Sequence, residues 1–124
     1  MNHPDHLVAL LGASNKPERY AHKALTKLTE NGYPVIPIHP TLKEVDGFKV
    51  LPNLEAIDKK IDTLTLYVGP ARIEPMIDSI VKLNPGRVIM NPGTESEPLG
   101  EALKKAGIPF EQACTLVLLG TGQF

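Results

Sequence analysis

Short apolar runs alternate with stretches whose apolar residues recur every three or four positions, and this alternation limits the fold more than any other feature of the chain. Residues 7–11 (LVALL) form an unbroken apolar run, as expected of a strand buried on both faces. Tyr20, Ala21, Ala24, Leu25 and Leu28 then follow a helical period, with Arg19, Lys23 and Lys27 elsewhere on the helical surface. Pro17 suits the first turn of this helix, where no backbone N–H is needed, and Asn31-Gly32 suits its end. Val35–Ile38 reads as a second strand. A glycine-containing loop follows, with one helical turn at residues 54–57. Residues 63–68, rich in β-branched, aromatic and aliphatic side chains, read as a third strand ended by Gly69-Pro70. Ile73, Met76, Ile77, Ile80 and Val81 predict a second helix, closed by Asn84-Pro85-Gly86. Arg87–Met90 is the fourth strand, Leu99, Ala102, Leu103 and Ala106 mark a helix stopped by Gly107, and residues 108–110 are a short fifth strand. The ending CTLVLLGTGQF fits an edge strand or a packed turn or helix. Strands alternating with helices predict an α/β fold, an open parallel sheet with helices on both faces, since right-handed crossovers place helices between parallel strands.

The chain has 124 residues, 42% hydrophobic and 22% charged, which suits a single soluble domain spanning 1–124. Its net charge of −1 provides no general attraction to nucleic acid or anionic membrane, so phosphate recognition has to be local. The single cysteine, Cys114, cannot form an internal disulfide. No apolar stretch approaches the roughly 20 residues that span a bilayer, and MNHPDH lacks the form of a secretion signal, so a cytoplasmic location is expected. His3, His6, His22 and His39 show no metal-ligand spacing.

In a parallel sheet of this kind, ligands bind beyond the C-terminal ends of the strands. Three small-residue breaks fall there: Gly12-Ala13-Ser14, Gly69-Pro70 and Asn91-Pro92-Gly93. After the first strand, Gly12 and Ala13 let the backbone approach a ligand, Ser14 offers a hydroxyl, and the start of the first helix offers free N–H groups. Lys16 and Arg19 add positive charge, which makes this break a candidate diphosphate cradle. A Gly12→Val exchange is then expected to block phosphate with little loss of folding. The simpler alternative is a tight turn without a ligand. Neither G-x-G-x-x-G nor G-x-x-x-x-G-K-[ST] is present, and Ile38-His39-Pro40 stands where a nicotinamide site carries an acidic ribose reader. Glu95 and Glu97, near the start of a helix, oppose phosphate there, so Asn91-Pro92-Gly93 is expected to wall the cleft and donate amide hydrogen bonds to a less charged part of the ligand. Lys23 and Lys27 read as a solvated face, and Cys114 as a small apolar residue rather than a redox or thioester group. Nearby motifs supply no set of nucleophile, base and orienting group, so binding is expected rather than catalysis.

Gly12-Ala13-Ser14 with Pro17 and Arg19, followed by Gly32-Tyr33-Pro34-Val35-Ile36-Pro37-Ile38-His39-Pro40, resembles the small stand-alone CoA-binding proteins, which are similar to the CoA-binding domain of succinyl-CoA synthetase. The likeness extends through Asp62 and Asn91-Pro92-Gly93 to Cys114. It implies a Rossmann-like fold with five parallel strands in the order 3-2-1-4-5, and CoA or an acyl-CoA bound across the strand ends. It places Gly12, Ala13, Ser14, Pro17 and Arg19 in the phosphate loop, Pro40 after strand two and Gly93 in the later loop; Lys16 is added from charge and position. Three departures accompany it. His39 replaces a common Asn, Val68 and Gly69 stand after Tyr67 where many relatives carry arginines, and Asn91-Pro92 replaces a Gln-containing segment. Val68, Gly69, Asn91 and Pro92 complete the expected cofactor-binding set, with no metal. The expected partners are the small-molecule CoA ligand and either a second copy of the chain or a protein that handles acyl-CoA. The alternatives are a nucleotide-dependent oxidoreductase and a scaffold whose cleft has lost its ligand.

Overall fold

The apolar run near the amino terminus becomes Val8–Leu11 (β1), buried at every position. The computed structural model describes residues 2–124, so Met1 of the MNHPDH stretch lies outside the described residues. Tyr20–Glu30 (α1) returns the chain to Val35–Ile38 (β2), and a small hairpin follows, Glu44–Val45 (β3) with Phe48–Lys49 (β4). After a 3-10 turn at Leu54–Ala56 come Thr63–Leu66 (β5), Pro70–Ile73 (α2), Ile77–Leu83 (α3), Arg87–Met90 (β6), Glu97–Ala106 (α4), Phe110–Gln112 (β7) and Thr115–Gly120 (α5). The five strands of the main sheet run parallel in the order β2-β1-β5-β6-β7.

Alternation along β1 divides the core. Val8 and Leu10 pack with Ala21, Ala24, Leu25 and Leu28 of α1 and with Leu116 and Leu119 of α5. Ala9 and Leu11 belong to the other cluster, with Ile73, Ile80, Leu99 and Leu103 from α2, α3 and α4. Fully burying such a side chain contributes about 1.5–3 kcal/mol, so the two faces together hold the sheet between its helices. Thr63 and Thr65 of β5 are buried polar residues with partners. Thr63 Oγ1 meets His6 Nε2 at 2.8 Å and accepts from Arg87 Nε at 2.9 Å, while Thr65 Oγ1 lies 2.9 Å from Thr115 Oγ1.

The α/β architecture agrees with the sequence reading, but the numbering within the sheet needs correction. The strand at residues 63–66 does not flank β2; it pairs with β1 on the other side. The third position of the order 3-2-1-4-5 is held by Leu51, which makes a single parallel bridge to Ile38. Leu51 N donates to Pro37 O and His39 N donates to Leu51 O, both at 3.0 Å. Pro37 suits β2 because the donor it lacks would point to this sparsely paired outer side.

Other boundaries shift for local reasons. Helix α1 begins at Tyr20 with Arg19 as its N-cap, so Pro17 lies in the preceding turn and not in the helix. Tyr20 is 69% exposed, off the buried stripe. The expected second helix is divided by a 3-10 turn at Glu74–Met76, because Pro75 has no N–H to donate to the preceding turn. Ile73 and Ile80 nevertheless stay on the core face. The fifth strand begins at Phe110, two residues later than expected, while Ile108 is buried ahead of it. Gly107 ends α4 in the left-handed conformation, φ 73°, as its position predicts. The ending, open from sequence between an edge strand and a packed turn or helix, holds helix α5.

Candidate functional site

Parallel strands bring the loops after β1, β2, β5 and β6 to one edge of the sheet. Those loops enclose a cavity of about 840 Å³, within the roughly 300–1,000 Å³ of small-molecule sites. Gly12, Ala13, Ser14, Lys16 and Arg19 line one side, and Pro40 lines the end beside β2. Val68, Gly69, Asn91, Pro92 and Gly93 contribute from the ends of β5 and β6. Pro17 is not among these residues; it lines a second cavity with α1 and α5 residues.

The loop after β1 has a specific hydrogen-bond pattern. Gly12 N and Ala13 N both donate to Ile38 O at 3.0 Å, so these amides tie β1 to β2 and do not face an anion unpaired. Lys16 N donates to Ser14 Oγ at 3.1 Å, leaving the Ser14 hydroxyl proton available. Among the described residues, the amides of Ser14 and Asn15 have no acceptor. The free donors of this loop therefore lie two residues beyond the position expected from Gly12 and Ala13.

Gly12 is required by packing. Its φ is 96°, and a Cβ there would lie 2.8 Å from Val68 Cγ1 and 2.9 Å from Tyr67 O. The expectation that Gly12→Val spares folding is thus overturned, since the exchange combines backbone strain with overlap against Tyr67 and Val68, just past β5. Val68 thus packs close to Gly12 while lining the cleft.

The loop after β6 is arranged differently. Asn91 is 2% exposed, and its amide group bonds within the fold. Asn91 Nδ2 donates to Thr65 Oγ1 at 2.7 Å and to Leu66 O at 2.8 Å, while its Oδ1 accepts from Thr115 N at 2.8 Å. Pro92 has no N–H. Gly93 N donates to the Glu95 carboxylate at 2.9 Å, and Thr94 N donates to Asn91 O at 3.0 Å. Asn91-Pro92-Gly93 therefore shapes the wall, and the Asn91 side-chain amide and the Gly93 N–H are engaged by the chain itself.

Three cationic side chains, Lys16, Arg19 and Arg72, and one carboxylate, Glu55, line the cavity, a positive local balance on a chain of net charge −1. Arg72 was missed from sequence. It lies on α2, one helical turn past Val68-Gly69, and brings a guanidinium to the side where the resemblance led to arginines. Glu55 is fixed by a hydrogen bond from the Ser79 hydroxyl, which holds its carboxyl below the usual range. Leu54, Met76 and Leu116 add apolar lining; from sequence, Met76 belongs only to the apolar stripe of the second helix. Burial pushes the Tyr67 phenol up to about 12, with Thr115 and Thr65 pulling the other way. His39 also lines the cavity, and its Nδ1 accepts from Thr41 N at 3.1 Å and Leu42 N at 3.0 Å.

Comparison with known proteins agrees with this fold. An uncharacterized protein of known crystal structure is 38% identical, with a TM-score of 0.90 over 96% of this chain and 98% of that one. The Thermus thermophilus protein called cell-free ID.343 is 30% identical, with a TM-score of 0.87 over 96% of this chain and 90% of that one. The uncharacterized protein YneT of Bacillus subtilis (strain 168) is 25% identical over 100 residues, 81% of this chain and 74% of the relative. Residues 6–120, from the lead into β1 to the end of α5, match the CoA binding domain, and the chain belongs to that family.

Proposed function

We propose that CoA or an acyl-CoA lies along the cleft at the C-terminal edge of the sheet, with its diphosphate against the loop after β1, and that the chain binds this ligand without transforming it. The observation carrying this reading is the pairing of unengaged Ser14 and Asn15 amides with Lys16 and Arg19 on one loop of a CoA-binding domain. Backbone donors and fixed cations together suit a diphosphate, and Arg adds a planar fork that Lys lacks. Apolar lining from Leu54, Met76 and Leu116 suits the less charged remainder of the ligand. Against a nicotinamide site, β2 ends at Ile38-His39-Pro40, where no carboxylate is available to bind ribose hydroxyls.

Calorimetric titration of the ligand-stripped protein with CoA, dephospho-CoA, NAD and ATP at one salt concentration tests the reading. Saturable binding that prefers CoA is expected. Binding of NAD or ATP without CoA would replace the CoA assignment with a nucleotide enzyme, and absence of all four would favour a scaffold whose cleft has lost its ligand.

A further inference from the structure

We propose that His39 is a positioning residue of the cleft: its neutral imidazole caps the loop 39–42 through Nδ1, so the wall carried by Pro40 and Leu42 forms fully only when the ring is uncharged. The significance of this for CoA rests on the reading above; the cap itself does not. Thr41 N and Leu42 N both donate to His39 Nδ1, at 3.1 and 3.0 Å, and Thr41 Oγ1 lies 3.4 Å from the same atom. An imidazole nitrogen that receives N–H donors must present its lone pair, so the ring proton sits on Nε2. A second proton on Nδ1 would face two N–H groups and abolish the cap. His39, Pro40 and Leu42 all line the cavity, which makes loop geometry and cleft shape one property.

Among the described residues that line the cavity His39 is the one histidine, while His22 on α1 meets Asp46 at 2.7 Å in the hairpin that follows. Lys16 and Arg19 from the loop after β1 and the lead into α1, and Arg72 from α2, share the cavity with His39. Glu55 faces it from the 3-10 turn and is held ionised by Ser79. Lys43 and Glu44 follow on the same segment as His39, while Tyr20, Tyr67 and Cys114 complete the ionisable lining. Carboxylates lose their proton below about pH 5, and amines, guanidines, thiols and phenols lose theirs above about pH 8, so histidine is the side chain that changes charge between. A proton on Nδ1 and the cap exclude one another, because the same lone pair would serve both.

Three proteins separate the possibilities: wild type, His39→Asn and His39→Ala. Asn can accept the same two amides through its side-chain oxygen without titrating. In the ligand-free state, nitrogen NMR of the imidazole is expected to show a bare Nδ1 and a protonated Nε2. Amide exchange at Thr41 and Leu42, normalised to the chemical rate at each pH, is expected to be about fivefold less protected in His39→Ala and unchanged in His39→Asn. Acidifying until the nitrogen spectrum shows both His39 ring nitrogens protonated is expected to remove this protection in wild type, and the same acidification is expected to leave it in His39→Asn. A protonated Nδ1, full protection in His39→Ala, or the same pH course in His39→Asn would overturn the cap. With CoA, His39→Asn is expected to bind like wild type near neutral pH and His39→Ala about fivefold more weakly. Equal affinity in a loosened His39→Ala loop would overturn the positioning role. Failure of wild type to bind CoA would overturn the CoA reading, while the exchange data still decide the cap.

Discussion

The loops after β1 and β6 look alike in sequence, each a run of small or turn-forming residues at the end of a buried strand, yet they differ in where their donors go. After β1, Gly12 and Ala13 brace the sheet while Ser14 and Asn15 keep unengaged amides beside Lys16 and Arg19. After β6, Asn91 is locked to β5 and to the start of α5, and Glu95 occupies the Gly93 amide. The first loop sets its free amides beside two cations, whereas the second ties down Asn91 and Gly93 and sets a carboxylate, Glu95, beside its own. Hydrogen-bond accounting, more than residue type, separates a binding turn from a structural one.

Breaking the braces should give the largest effects. Gly12→Val is expected to lower stability by about 4 kcal/mol, the sum of left-handed strain and overpacking, and urea unfolding should show an earlier midpoint. An unchanged midpoint would mean that Tyr67 and Val68 retreat from Gly12 at little cost. Asn91→Ala leaves the Thr115 amide and the Leu66 carbonyl without their side-chain partner, for an expected loss of about 3 kcal/mol. Hydrogen exchange should then report the Thr115 amide as newly exposed. If it stays protected, α5 is held by other contacts and the contrast between the loops weakens.

Changes to the charged groups should spare the fold and sharpen the comparison at the ligand. Arg19 caps α1 through its backbone alone, so Arg19→Ala is expected to weaken CoA binding about tenfold with the melting temperature almost unmoved. Equal affinity would take the diphosphate away from this loop. Glu95→Ala should produce the smallest change, a gain in CoA affinity of about twofold, as a surface carboxylate is removed and the Gly93 amide is freed. A gain near tenfold would make the second loop a latent anion site, and a loss would place Glu95 in contact with the ligand.

Much of this organisation was legible in the chain. The buried run of β1 and the αL stop at Gly107 follow from residue type and spacing, because burial and backbone sterics act over a few neighbours. The family resemblance likewise pointed to the CoA-binding domain that the chain contains. What sequence missed depends on distant partners. Nothing local shows that residues 63–66 pair with β1 while Leu51 supplies a one-residue third position. The acceptor for the Gly12 and Ala13 amides is Ile38 O, across the sheet, and Asn91 finds its partners in β5 and α5. Arg72 reaches the cleft from the next helical turn, where a linear match to the arginine positions fails. Pro75 was visible, but the periodicity around it hid the interruption.

The lone Leu51 bridge has a further consequence for how molecules of this chain meet one another. An unpaired strand edge is a template for another strand, and proteins that expose long flat edges are prone to assemble through them. Along the outer side of β2, Leu51 already engages Pro37 O and His39 N, and Pro37 has no donor to give. At the opposite border, β7 is three residues long and carries Glu111. Both borders are thus poor starting points for intermolecular β-pairing.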